Sequence, residues 1–227
     1  MRVRDRVASW VLLFLSFAPF LIAFIAIQIL PDQIPAHYNA LGEIDRWGSK
    51  YEEFILAVTF SLSGWILWLM ARFSGCFADN DEELAKAKAN AKVIVVVGIA
   101  VQLLLCALQI IFVYGAYREA ALGAQVSVLP IWKITGIGVG ILYLIIGNIM
   151  PKAKPNSVVG VRTSWSRSSP EAWAKSQRSG GITFAIAGAV CILLSLVLHG
   201  FAVFVAMMAC TLVATVVACV LSFRAAQ

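Results

Sequence analysis

One histidine among acidic residues is the first combination in this chain that could support chemistry. His37 stands in a polar segment, residues 31–51, together with Asp32, Glu43 and Asp45. An imidazole and carboxylates can ligate zinc together, so a divalent metal held by His37 is one hypothesis for this segment. The segment has no second histidine and no cysteine, which favours the alternative that His37 hydrogen-bonds within the loop or faces solvent. No other cofactor is expected.

The same segment has the composition of an ordered loop. Pro31 and Pro35 favour extended or turn backbone, and the stretch 39–42 indicates a chain reversal. Five acidic residues against two basic ones between positions 32 and 53 would attract a cationic peptide, although a solvated loop would look similar. We expect one ordered outer site, with ligand-binding residues Asp32, His37, Asn39, Glu43, Asp45 and Trp47.

A second polar segment, residues 151–178, is basic. It contains six Lys and Arg residues and one acid. Ser169 before Pro170 predicts the start of a helix that leads into the next apolar run, with Trp165 and Trp173 at headgroup depth. The Arg162 guanidinium is expected to work inside the protein by bridging carbonyls at helix ends. The residues assigned to structure or to partner binding here are Asn148, Lys152, Lys154, Asn156, Arg162, Thr163, Trp165, Arg167 and Lys175.

The composition explains why function is sought in these two segments. The chain has 227 residues, of which 61% are hydrophobic and 13% charged, and its mean hydropathy is +0.87. A soluble domain is roughly a quarter charged. The net charge of +6 does not indicate nucleic acid, because basic residues in a membrane protein report topology. Five cysteines without CxxC spacing exclude a zinc ribbon.

Uncharged runs predict an all-α polytopic bundle of six membrane helices in one membrane domain, residues 1–227. Pro19 is expected to bend the first helix. The last run, 179–223, has 45 residues, about twice what one bilayer crossing needs, so it must fold back at His199 and Gly200. The predicted spans cover about 7–30, 52–72, 93–116, 130–150, 179–198 and 201–223.

The basic residues predict the orientation of these spans. Fourteen of the 18 Lys and Arg residues fall on the side that holds both termini, and four fall on the other side. The positive-inside rule then places both termini in the cytoplasm. Gly136 and Gly140 indicate close helix packing, within one subunit rather than at a dimer face. The middle of the spans contains no carboxylate, which disfavours a proton-coupled carrier.

Two motifs resemble a known family. The outer segment resembles a short domain of unknown function with the pattern L-P-x-x-I-P-x-H-(F/Y)-N-x-x-G-x-x-D-x-W-x-x-K. It is matched by Leu30, Pro31, Ile34, Pro35, His37, Tyr38, Asn39, Gly42, Asp45, Trp47 and Lys50. The basic segment resembles the G-N-x-x-P-K-x-x-P-N-x-x-x-G-(I/V)-R-T-x-W stretch of the SdpI immunity-protein family. It is matched by Gly147, Asn148, Pro151, Lys152, Pro155, Asn156, Gly160, Val161, Arg162, Thr163 and Trp165.

The resemblance implies a multi-pass protein of the bacterial inner membrane that protects its cell against a secreted membrane-active peptide toxin. It also implies signal transduction, in which a cytosolic transcriptional repressor is held at the membrane. Membrane lipids are the remaining expected partners. The chain departs from the family where relatives carry a later W-x-x-T-H, because Trp173 is followed here by Ala174, Lys175, Ser176 and Gln177. A membrane enzyme or metal-dependent lipid-modifying protein with its site at the outer loop is the alternative.

Overall fold

The fold is a bundle of long helices with a small β-hairpin at one end. A computed structural model describes residues 3–76, 78–156 and 158–227. Within these ranges the helices are α1 (Val3–Leu15), α2 (Ala18–Ile29), α3 (Glu53–Arg72), α4 (Asp81–Leu122), α5 (Ile131–Ile149), α6 (Pro170–Val197) and α7 (Phe201–Ala225). The two strands are β1 (Gln33–Tyr38) and β2 (Ile44–Ser49).

The described residues contain six helical segments that are long and apolar enough to cross a membrane, with α1 and α2 forming one of them. This confirms the predicted all-α, six-helix membrane architecture. The cytoplasmic location of the termini stays a prediction. Below, "outer end" means the end of the bundle that carries the hairpin, and "inner end" means the end that carries the residues 151–169.

Pro19 interrupts the first span, as expected. Proline has no N–H to donate to the carbonyl four residues earlier, so the helical ladder cannot continue through this point. The chain leaves the helix at Ser16 and Phe17 before α2 begins. Ser16 Oγ donates to the carbonyl of Leu12 at 2.7 Å, and Ser16 N donates to the same carbonyl at 3.0 Å.

α4 is much longer than the predicted span of 93–116. It has 42 residues, or about 63 Å at 1.5 Å per residue, which is about twice the thickness of a hydrocarbon core of about 30 Å. Asn80 caps its start by accepting a hydrogen bond from Glu83 N at 2.9 Å. Gly123 ends it with a left-handed φ of 60°. The predicted range of 93–116 covers only the uncharged residues of a membrane span, whereas charged residues continue a helix readily in water.

α6 begins where Ser169 and Pro170 predicted, and it runs without a break into the fifth span. Ser169 Oγ accepts a hydrogen bond from Ala172 N at 3.0 Å. The depth expected for Trp173 stays a prediction, but the structure shows that this tryptophan contacts protein rather than lipid. Its side chain is 2% exposed, and its indole N–H donates to the carbonyl of Ala153 at 2.8 Å. The turn between α6 and α7 contains Gly200, with φ of 55°.

Glycines bring α5 and α6 into backbone contact. A Cβ on Gly147 would lie 2.5 Å from the carbonyl oxygen of Gly181. A Cβ on Gly140 would lie 2.8 Å from that of Gly188. No larger residue could replace these glycines without a backbone shift. The predicted role of the α5 glycines in packing within one subunit is therefore confirmed.

The hairpin at the outer end is antiparallel, with Gln33 opposite Ser49 and Tyr38 opposite Ile44. The connection between α4 and α5 adds to its edge. Ile44 N donates to the carbonyl of Gln125 at 2.8 Å, and Ser127 N donates to that of Gly42 at 2.8 Å. These bonds tie the hairpin to the helices, so it is a fixed part of the bundle.

Candidate functional site

Asn39 builds the reversal of the hairpin. Its Oδ1 accepts hydrogen bonds from Leu41 N at 2.9 Å and Glu43 N at 3.0 Å, while its Nδ2 donates to Glu43 Oε2 at 2.6 Å. Gly42 has φ of 83°, which a residue with a Cβ adopts only with strain. The reversal predicted for 39–42 is confirmed. Asn39 and Glu43, expected to bind a ligand, pair with each other.

His37 and Asp45 lie side by side on the exposed face of the hairpin. His37 Nδ1 and Asp45 Oδ1 are 2.6 Å apart. Asp32 lies apart from them and pairs with Lys50 Nζ at 2.9 Å. Nowhere in the described ranges do three or more His, Cys, Asp or Glu side chains converge as a metal site would require. Of the predicted metal ligands, the structure therefore places only His37 and Asp45 next to each other.

The other charges of the hairpin are also paired. Arg46 donates from both terminal nitrogens to Glu52, at 3.0 and 2.8 Å. The hydrogen bonds to Glu52 raise the pKa of Arg46 above its usual value. Trp47 is half-buried opposite Pro35 and packs within the hairpin. Much of the outer acidity expected to attract a cationic ligand is thus neutralised within the loop.

A buried carboxylate fastens the hairpin to the bundle. Glu119, in the last turns of α4, is fully buried. Its Oε2 accepts from the Tyr38 hydroxyl at 2.5 Å, and its Oε1 accepts from Ser127 Oγ at 2.9 Å and from Val128 N at 2.8 Å. Burial and the bond to Glu119 raise the pKa of Tyr38 well above its usual range. Glu119 was not among the predicted site residues, although a lone acid at the end of an apolar run was a signal for it.

A cavity of about 420 Å³ opens beside this anchor. It lies between the hairpin, the α4–α5 connection and the turn before α7. Its wall is mainly apolar, and three basic side chains also line it. The lining residues used below are His37, Leu41, Val126, Trp132, Lys133 and His199. Of the six predicted outer-site residues, only His37 lines this cavity. The remaining lining residues were not predicted, because the cavity is formed by three segments that lie far apart in the sequence.

Lys133 joins two helices at this cavity. Its ammonium donates to the carbonyl of Leu196 at 3.1 Å, in the last turn of α6. A cation at a helix C-terminus offsets the partial negative charge of the exposed carbonyls. α5 begins beside Pro130, as predicted, and Lys133 lies in its first turn.

Asn156 and Gln177 shape the basic segment at the inner end. Asn156 Oδ1 accepts from Val158 N and Val159 N, both at 2.6 Å. Gln177 is fully buried; its Oε1 accepts from Val161 N at 2.9 Å and its Nε2 donates to Val161 O at 2.8 Å. Gln177 follows Trp173 in the part of the chain that departs from the family pattern. The tight path predicted around Asn156 is present.

Thr163 and Trp165 attach the segment to α7. Thr163 Oγ1 lies 2.5 Å from Ser222 Oγ, and the Trp165 ring packs edge-on against Phe223 at 5.1 Å between centroids. Arg162 is exposed as a residue, and its expected role in bridging carbonyls at helix ends stays a prediction. Gln177 is the fully buried polar side chain of this segment. The remaining predicted residues are all exposed: Asn148, Lys152, Lys154, Arg167 and Lys175.

Comparison with known proteins identifies both motif regions. Residues 152–223 match the model of the SdpI/YfhL protein family. Residues 14–61 match a domain of unknown function, DUF1648. No curated protein and no solved structure gives a significant match. The two matched regions contain the inner segment with α6 and most of α7, and the outer hairpin with α2. Residues 152–223 of this multi-pass membrane protein therefore belong to the SdpI/YfhL family, and a DUF1648 domain precedes them.

Proposed function

We propose that this protein is an immunity protein of the bacterial inner membrane that binds a secreted membrane-active peptide at its outer end. The observation that carries the proposal is the open cavity of about 420 Å³ beside the hairpin. Family membership supports a membrane immunity-type protein in general. The family does not identify the ligand or its site; that the ligand is a secreted peptide and that it binds in this cavity is our proposal.

The chemistry of the cavity suits part of an amphipathic peptide. Leu41, Val126 and Trp132 provide an apolar wall, which would receive a nonpolar side chain. Lys133, His37 and His199 would receive its carbonyls or C-terminus. The acids Asp32 and Glu52 already pair with cations. Binding should therefore depend weakly on salt, unlike attraction by an unpaired acidic rim.

Expression in a susceptible bacterium tests the proposal. The tested cells are exposed to a panel of secreted membrane-active peptides, and Leu41→Asp is compared with the wild-type protein. Leu41 is 80% exposed, so its replacement should leave the fold intact. The variant loses the contact that Leu41 would make with the bound peptide and places a charge there instead. The highest peptide concentration that the cells survive should therefore fall about tenfold or more.

A matched control is Leu122→Asp. Leu122 is also exposed at the outer end of the bundle but does not line the cavity. Protection should survive this change. Protection that is unaffected by Leu41→Asp at equal protein level would remove the cavity from the mechanism.

Signalling through a cytosolic transcriptional repressor is the second part of the proposal. It rests on exposed cations at the inner end, of which Lys152, Lys154 and Arg167 have no carboxylate partner in the described ranges. Replacing these three by Gln should release a membrane-held repressor while protection continues. Fractionation of the cells and a reporter gene would measure this, and simultaneous loss of protection would contradict separate sites.

The alternative enzyme, metal-dependent and lipid-modifying, would use the His37–Asp45 pair. Metal analysis of the purified protein and of His37→Ala distinguishes it from the immunity proposal. A bound divalent ion that disappears in the variant would favour the enzyme.

A further inference from the structure

A second cavity, of about 840 Å³, lies at the opposite end of the bundle from the hairpin. It is formed by the first turns of α1, the last turns of α3 and the part of α4 near Lys88 and Lys92. None of the predicted site residues lies in it. Its volume falls within the range of about 300–1,000 Å³ found for sites that bind small molecules.

Charge is concentrated at this cavity. Four cations line it, Arg6, Arg72, Lys88 and Lys92, against the one carboxylate of Asp5. Lys92 and Asp5 form an ion pair at 2.9 Å. Among the described residues, Arg6, Arg72 and Lys88 have no carboxylate partner. Three helices therefore bring cations together at one cavity, where an anion would neutralise them.

The cavity becomes apolar toward the middle of the bundle. Val95 and Val96 follow Lys88 by about two turns of α4, or roughly 10–12 Å along the helix axis. Trp10 and Trp68 flank this lower part, and tryptophan is enriched at the level of the lipid headgroups. Trp10 is 55% exposed on the side of α1. The site thus presents cations above and apolar surface below, in the order in which a phospholipid presents its phosphate and its chains.

We propose that this cavity is a binding site for an anionic phospholipid, whose phosphate lies among Arg6, Arg72 and Lys88 and whose upper acyl chains lie against Trp10 and Val96. A free phosphate compound would satisfy the cations but would leave the apolar part of the cavity without a partner. General attraction of basic residues to an anionic leaflet depends on the sum of charges. Lipid binding at a specific cavity depends instead on the individual cations that line it.

The two lysines of α4 offer a matched test of that difference. Lys88 lines the cavity, whereas Lys86 pairs with Glu82 at 2.7 Å and does not line it. They are two residues apart and therefore point to different sides of the helix. Lys88→Gln and Lys86→Gln remove the same charge at nearly the same depth. Both lysines are at the helix surface, so both variants should fold.

The measurement is native mass spectrometry of the full chain released from bilayers of phosphatidylcholine with a minor fraction of phosphatidylglycerol. The wild-type protein should retain phosphatidylglycerol in preference to phosphatidylcholine. Lys88→Gln should reduce this preference about fivefold, and Arg72→Gln should reduce it similarly. Lys86→Gln should leave it unchanged. An equal loss in Lys86→Gln and Lys88→Gln would overturn the proposal in favour of general surface attraction.

Competition separates the possible sources of the phosphate. Inorganic phosphate and glycerol 3-phosphate carry the charge but no acyl chains, so millimolar amounts should not displace the lipid. Displacement by either would overturn the lipid assignment. Absence of any headgroup preference in the wild-type protein would overturn the site itself.

Discussion

The Tyr38 hydroxyl donates a hydrogen bond of 2.5 Å to Glu119 Oε2 across 81 positions of the chain. This contact joins the hairpin to the outer end of α4. Ser127 Oγ and Val128 N bind the other oxygen of the same carboxylate, so three segments meet at one buried acid. The position of the hairpin, and hence the shape of the outer cavity, depends on this carboxylate.

Removing the Tyr38 hydroxyl should loosen the hairpin without unfolding the bundle. Tyr38→Phe keeps the ring but leaves Glu119 Oε2 without its donor, at a cost of about 1–3 kcal/mol. Amide exchange in residues 33–49 should accelerate, while exchange in α5 and α6 should not change. The control Tyr51→Phe alters an exposed tyrosine that follows the hairpin. Equal effects of the two changes would contradict the anchoring role of Tyr38.

The raised pKa of Tyr38 predicts how its contribution depends on pH. Because the pKa is higher in the folded protein, the stabilisation is complete below the ordinary tyrosine value of about 10 and is lost only as pH rises above it. Tyr38 should therefore stay protonated while exposed tyrosines ionise. Ultraviolet titration up to about pH 11 should give equal absorbance changes for the wild type and Tyr38→Phe. A smaller change in the variant would show that Tyr38 ionises normally.

Gln177 should matter more than the exposed Arg162 for the order of the inner segment. Gln177→Glu keeps the acceptor for Val161 N but replaces the donor to Val161 O with a second oxygen, which costs about 1–3 kcal/mol or more for a buried charge. Limited proteolysis should cut residues 151–169 faster in this variant. Arg162→Gln serves as the comparison. Faster cleavage in Arg162→Gln than in Gln177→Glu would refute the ranking.

The backbone contact between α5 and α6 predicts different effects for two glycines of the same helix. Gly147→Ala would place a methyl 2.5 Å from the Gly181 carbonyl oxygen, so the helices must separate, at a cost of about 1–3 kcal/mol. Gly138→Ala would instead meet the end of the Leu104 side chain, which can rotate away. Thermal unfolding in detergent should show the larger loss for Gly147→Ala. Equal losses would mean that α5 and α6 are free to adjust.

The sequence by itself determined the features that depend on neighbouring residues. Apolar run length predicted six spans, and Pro19, Ser169 and Gly200 marked a bend, a helix start and a reversal. Asn39 and Gly42 marked the turn of the hairpin. Each follows from local chemistry: a missing N–H, a capping hydroxyl, or a backbone angle that glycine tolerates. The full length of α4 does not follow from the length of its apolar run, because charge ends a membrane span but does not end a helix.

Only the tertiary structure decided which distant residues meet. Several contacts join residues that are up to 81 positions apart, and no local pattern relates their members. They are Tyr38 with Glu119, Val161 with Gln177, and Lys133 with Leu196. The burial of Trp173 and Gln177 was also decided by the tertiary structure, because the space inside the bundle depends on how α5, α6 and α7 pack. The two cavities arise in the same way, since each is lined by several segments whose approach is set by packing of the whole chain.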